Sequence, residues 1–117
     1  MLVVTAVNRC RYCAHFHIQV ASHSGITPKE ARALLGSAVD SCPAHEIPAL
    51  LYAQHWAERE RGPDAAARAG LEAQYGPATA RAIERVLSVI WLGNLLGNTL
   101  DYLLCWLSRG RVGCDER

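Results

Sequence analysis

No run of one charge marks this sequence. Twelve basic residues against eleven acidic ones leave a net charge of +1 over 117 residues. There is thus no basic field to suggest nucleic acid and no acidic tail to act as a solvating segment. Also missing are a Gly-rich phosphate loop, an internal repeat, a low-complexity tract and any convincing alternation of apolar and polar residues. Met1 to Val7 lacks the basic start and small-residue cleavage site of a secretory signal. Without such a signal, the odd count of five cysteines reads as intracellular thiols, and a cytoplasmic location follows. The one candidate membrane span, Val86 to Leu107, contains Asn94, Asn98, Asp101 and two glycines. A buried core helix explains it better, so no membrane partner is expected.

What is present is helix punctuation. Half the residues are hydrophobic, enough for one compact domain over residues 1–109, followed by a Gly- and charge-rich flexible tail at 110–117 that includes Cys114, an exposed thiol of no assigned role. Met1 to Val7 reads equally as a strand or as the end of a buried helix. A helix then runs from Cys10 to Ser24 and stops at Gly25. Thr27-Pro28-Lys29-Glu30 is a capping box with proline at the first helical position. Pro48 fits only the first turn of the helix carrying Leu50, Leu51 and Trp56. Asp64 caps an Ala-rich helix ending at Gly76, and Pro77 opens the longest helix, whose apolar surface is too wide for one neighbour. That last helix should be central or oligomer-facing. Its Gly93 and Gly97 suggest a close crossing, and Asn94 and Asn98 need hydrogen-bond partners if buried. The fold class is all-α.

Chemistry concentrates in Asn8-Arg9-Cys10-Arg11-Tyr12-Cys13-Ala14-His15-Phe16-His17. On a helix starting near Cys10, with Asn8 as its N-cap, Cys10, Cys13 and His17 share one face. Free backbone N–H groups at the first turn, with Arg9 and Arg11 beside them, favour a thiolate, and the imidazole can take or return a proton. The plain alternatives are a pair of small buried hydrophobes, or half a zinc site completed by Cys42 or His23. A thioredoxin-like reading would need Met1 to Val7 to be a strand feeding the redox helix.

The stretch Cys10-Arg11-Tyr12-Cys13-Ala14-His15-Phe16-His17 resembles the C-x-x-C-x-x-x-H signature of the AhpD-like alkylhydroperoxidases, in the carboxymuconolactone decarboxylase superfamily. Leu50 to Glu58 and Leu92 to Asp101 resemble the later helices of one branch, extending the similarity over nearly the whole chain. The resemblance implies an AhpD-like helical bundle assembling as a homo-oligomer, commonly a trimer or hexamer. It implies thiol-dependent reduction of a hydroperoxide without haem or metal. Carried over by position, Cys13 is the peroxidatic thiol, Cys10 the resolving thiol that closes a redox-active disulfide, and His17 part of the proton relay. A dithiol or a lipoylated protein would reopen the disulfide. Members usually carry a glutamate upstream of the first cysteine, at a spacing that falls before Met1. His15, Glu46 and Asp101 are the candidates to relay protons in its place. A thiol redox sensor, or a catalytically silent helical oligomer, is the alternative within the same fold.

Overall fold

Local signals set where each helix starts and stops. The computed structural model describes residues 1–36 and 38–112, with Ser41 described by its backbone alone, so Cys114 and the end of the expected tail lie outside the described residues. The described residues form α1 (Leu2–Asn8), α2 (Arg11–His23), α3 (Pro28–Leu35), α4 (Ile47–Glu58), α5 (Ala65–Tyr75) and α6 (Pro77–Leu107), with one 3₁₀ turn at Val39–Ser41. The all-α expectation holds. No strand occurs among the described residues, which removes the thioredoxin-like reading.

The capping signals work as physical chemistry requires. The Glu30 N–H donates to Thr27 Oγ1 at 3.3 Å, and the Thr27 N–H donates back to Glu30 Oε2 at 2.8 Å. Asp64 Oδ1 accepts from the Ala67 N–H at 2.7 Å, satisfying one of the orphan donors at the start of α5. Gly76 both ends α5 and begins α6 at φ +82°, a conformation that costs glycine little and strains any other residue.

The undecided N-terminal stretch is helix, not strand. At seven residues α1 is too short to hold in water by itself, but its first turn, Leu2 to Thr5, is buried on every side and apolar except for Thr5. Val4 enters one core cluster with Tyr52, Trp56, Leu71 and Leu87. Leu2 and Val3 enter another with Ala21, Ala31 and Leu34. This short helix is thus the wedge that joins α2 and α3 to α4, α5 and α6.

The last helix departs from the expectation of a buried core span. Only Ala80, Leu87, Asn94 and Asp101 are buried along α6, and two of these four are polar. Leu92, Leu96, Leu100, Leu103, Trp106 and Leu107 lie on the surface, Leu96 at 63% and Trp106 at 70% exposure. Length explains this. α5, eleven residues, spans about 16 Å, and α6, thirty-one residues, spans about 46 Å. The partner that folds back at Gly76 therefore covers only part of α6. No helix among the described residues is long and apolar enough to cross a membrane.

Candidate functional site

Only Arg9 and Cys10 separate α1 from α2, and the site is built on that junction. The sequence reading places Asn8 at the N-cap of the redox helix. The structure instead makes Asn8 the last residue of α1 and gives the N-cap to Cys10. Arg9 takes a left-handed conformation at φ 52° and ends α1, so α2 starts two residues later than Asn8 capping would require. The Cys13 N–H donates to Cys10 Sγ at 3.3 Å. A sulfur thus occupies the place where a helix start most favours an acceptor or an anion.

Cys10 and Cys13 are joined in a disulfide, with their Cα atoms 5.3 Å apart. The two sulfurs are not equivalent. Cys10 is 1% exposed, whereas Cys13 is half-buried and lines an open groove of about 380 Å³. Tyr12, Phe16, His17, Val89 and Gly93 share that groove, and its walls are almost wholly apolar. Cys13 Sγ lies 3.7 Å from the Gly93 carbonyl oxygen.

The two glycines of α6 have different reasons to be glycine. A Cβ on Gly97 would lie 2.6 Å from Cys10 Sγ and 3.0 Å from Cys13 Sγ, so only glycine lets α6 pass this close to the disulfide. A Cβ on Gly93 would meet nothing within 4 Å. The close crossing expected of both is therefore a property of Gly97 alone, and Gly93 leaves open the groove beside Cys13.

His17 follows Cys13 by four residues on α2 and faces the same groove. Its Nδ1 lies 2.8 Å from Thr5 Oγ1, and the Thr5 hydroxyl lies 3.2 Å from Asn94 Oδ1. With the Asn94 oxygen toward Thr5, the hydroxyl's one proton goes to Asn94, and Thr5 accepts from His17 Nδ1–H. In that arrangement Nε2 of a neutral ring is left with a free lone pair. Burial, the largest influence, lowers the His17 pKa from its usual 6.5, as desolvation disfavours the imidazolium.

None of the three residues considered as a substitute relay meets His17. His15 Nε2 is 3.1 Å from Gln19 Nε2, on the exposed side of α2. Glu46 lies 3.8 Å from His45. Asp101, almost fully buried, accepts from Arg11 at 2.6 Å. That ion pair also alters the expected role of Arg11: its charge is offset by Asp101 and is less available to the thiols. Asn98 donates to the Asn8 carbonyl at 2.8 Å, closing the end of α1.

Thr5 is the residue that sequence reasoning missed. The available signal was one hydroxyl in an otherwise apolar run, since a polar group buried there must have a partner. The zinc reading finds no support in the geometry: among the described residues no three of His, Cys, Asp and Glu converge as a metal site. Cys42 lines a separate cavity with Glu30 and Glu46, and His23 bonds to the Gln19 carbonyl.

No curated protein and no solved structure matches the chain. Residues 1–59, which carry α1 to α4 with Cys10, Cys13 and His17, match the Carboxymuconolactone decarboxylase family. The segment Leu92 to Asp101, expected to resemble one branch, lies beyond that match. With half its length covered, and with the helical fold and the cysteine pair at the start of α2, the chain belongs to the carboxymuconolactone decarboxylase family.

Proposed function

We propose that this protein is a thiol-dependent hydroperoxide reductase whose redox centre is Cys10, Cys13 and His17. The observation that carries this reading is the asymmetry of the disulfide: one sulfur opens to an apolar groove beside a neutral histidine, and the other is buried at a helix start. In the reduced form the Cys13 thiolate attacks the terminal oxygen of the hydroperoxide. The O–O bond breaks, Cys13 becomes a sulfenic acid, and the alkoxide leaves as an alcohol by taking the proton that His17 Nε2 had accepted from the Cys13 thiol. Cys10 then attacks Cys13 Sγ, forming the disulfide and releasing water. A dithiol, free or on a lipoylated protein, reopens it by exchange at the accessible sulfur, Cys13, and is itself oxidised to a disulfide. The leaving thiolate is then Cys10, which the Cys13 N–H and the helix start stabilise.

The working form is a homo-oligomer, a trimer or hexamer, in which the outward leucines of α6 are covered. Supporting this, Leu92, Leu96, Leu100, Leu103, Trp106 and Leu107 are all exposed along one helix, and clustered exposed apolar side chains mark association surfaces. A second reading, a thiol sensor that oxidises once and turns over slowly, is favoured by one observation. The groups behind His17 are Thr5 and Asn94, neither of which supplies a carboxylate.

Hydroperoxide consumption with dihydrolipoamide as reductant tests both. Sustained turnover that vanishes in Cys13→Ser is the expected result. A single stoichiometric oxidation supports the sensor instead, and turnover retained in Cys13→Ser overturns the redox centre.

A further inference from the structure

The apolar groove beside Cys13 continues into a second, positively charged one. A groove of about 410 Å³ is lined by Arg68, Arg81, Glu84, Arg85, Ser88 and Val89, and Val89 also lines the groove at Cys13. Within it the charges are unequally engaged. Glu84 Oε1 accepts from the Tyr52 hydroxyl at 2.7 Å, and Glu84 Oε2 lies 3.4 Å from Arg68. Arg68 also meets Glu72 at 3.5 Å. Arg81 and Arg85, one turn apart on α6, have no ion-pair partner among the described residues.

Arg81, Arg85, Val89 and Gly93 follow one another at intervals of four along α6, the spacing of neighbours on one helical ridge. From Arg85 to the level of Gly93, whose carbonyl borders Cys13 Sγ, the helix rises about 12 Å. The ridge therefore leads from free guanidinium groups, past an exposed valine, to the reactive sulfur. Val89 is 68% and Phe16 60% exposed, so apolar walls stand open to water between the two ends.

Resting on the peroxidase reading, we propose that the substrate is a linear anionic amphiphile, an acyl-chain hydroperoxide with a carboxylate or phosphate head. Arg81 and Arg85 hold the head by charge-assisted hydrogen bonds, and the planar guanidinium suits either anion. The acyl chain lies over Val89 and Phe16, which brings a hydroperoxide within the chain to Cys13. The reaction balances as above, the product being the same lipid with a hydroxyl in place of the hydroperoxide. Arg81 and Arg85 are binding residues and take no part in the bond-breaking step.

The test uses the intact, oxidised protein, which cannot turn over, and measures binding of laurate, dodecyl phosphate and methyl laurate by calorimetry below their aggregation limits. The anions should bind at least tenfold more tightly than the ester, and the advantage should disappear in the Arg81→Gln/Arg85→Gln double variant. Arg32→Gln, far from this groove in the sequence and absent from its lining, is the control and should bind like the parent. Val89→Asp should weaken the anions further. Laurate against dodecyl phosphate separates the two head groups. Equal binding of acid and ester, or equal binding by parent and double variant, overturns the proposal. In turnover, the double variant should raise KM for a fatty-acid hydroperoxide about tenfold at unchanged kcat, and leave a neutral aryl hydroperoxide unaffected. Anion binding lost in the double variant with no hydroperoxide consumed by the parent would keep this subsite and reject the peroxidase reading.

Discussion

The two halves of α6 solve opposite problems with one continuous helix. In the first half the inward face is apolar, with Ala80 and Leu87 packed into the cluster of Val4, Tyr52, Trp56 and Leu71. In the second half the inward face is small or polar, with Asn94 against Thr5, Gly97 against the disulfide, Asn98 against Asn8 and Asp101 against Arg11. Its leucines point outward. The first half therefore stabilises the fold, whereas the second supports the site from behind and leaves an apolar surface exposed. The difference shows that one hydrophobic stretch can pack into a core over part of its length and carry polar positioning groups over the rest.

The sharpest way to break this comparison is to shorten one leucine in each half. Leu87→Ala should cost about 2–5 kcal/mol, because it empties a packed cluster. Leu96→Ala should change the stability of the isolated subunit by no more than about 0.5 kcal/mol. Denaturant titration measures both. Leu96→Asp with Leu103→Asp should leave helicity intact and reduce the mass seen by light scattering to that of a single chain.

Three smaller effects separate the roles within the second half. Gly97→Ala should destabilise by about 1–3 kcal/mol, since its methyl meets two bonded sulfurs that cannot move aside. Gly93→Ala, with open space around it, should stabilise by up to about 1 kcal/mol through helix propensity, yet raise KM by narrowing the groove. Asn94→Ala leaves the Thr5 hydroxyl without its acceptor and should cost about 1–3 kcal/mol, with a lower rate because the His17 ring loses its anchor.

The smallest effect is on pH. The His17 pKa is lowered in the folded protein, so the neutral ring is the form that folding favours. Its contribution to stability is complete above the usual value of 6.5 and is lost as pH falls through the lower folded value. Urea midpoints should therefore drop on acidification in the parent, and drop less in His17→Gln.

Much of this was legible from local chemistry. The Thr27–Glu30 box, the Asp64 cap, Pro77 and Gly76 fix helix ends through interactions within a few residues, and sequence carries those directly. The junction at Arg9 was not legible, because a left-handed arginine is set by the packing of α1 and α2 and not by its own preference. The cysteine spacing identified Cys10, Cys13 and His17 as neighbours, but which sulfur faces outward depends on where α6 crosses. The partners of His17 were hidden for the same reason: Thr5 and Asn94 are 89 positions apart and meet only in the fold.

The proposed redox centre requires that Cys13, and not Cys10, meets the peroxide. One equivalent of hydroperoxide added to reduced Cys10→Ser, followed by a sulfenic-acid trap and peptide mass spectrometry, tests it directly. A trapped adduct on Cys13 at stoichiometric yield is the expected result. No adduct on Cys13, together with rapid oxidation of Cys10 in the Cys13→Ser protein, would contradict it.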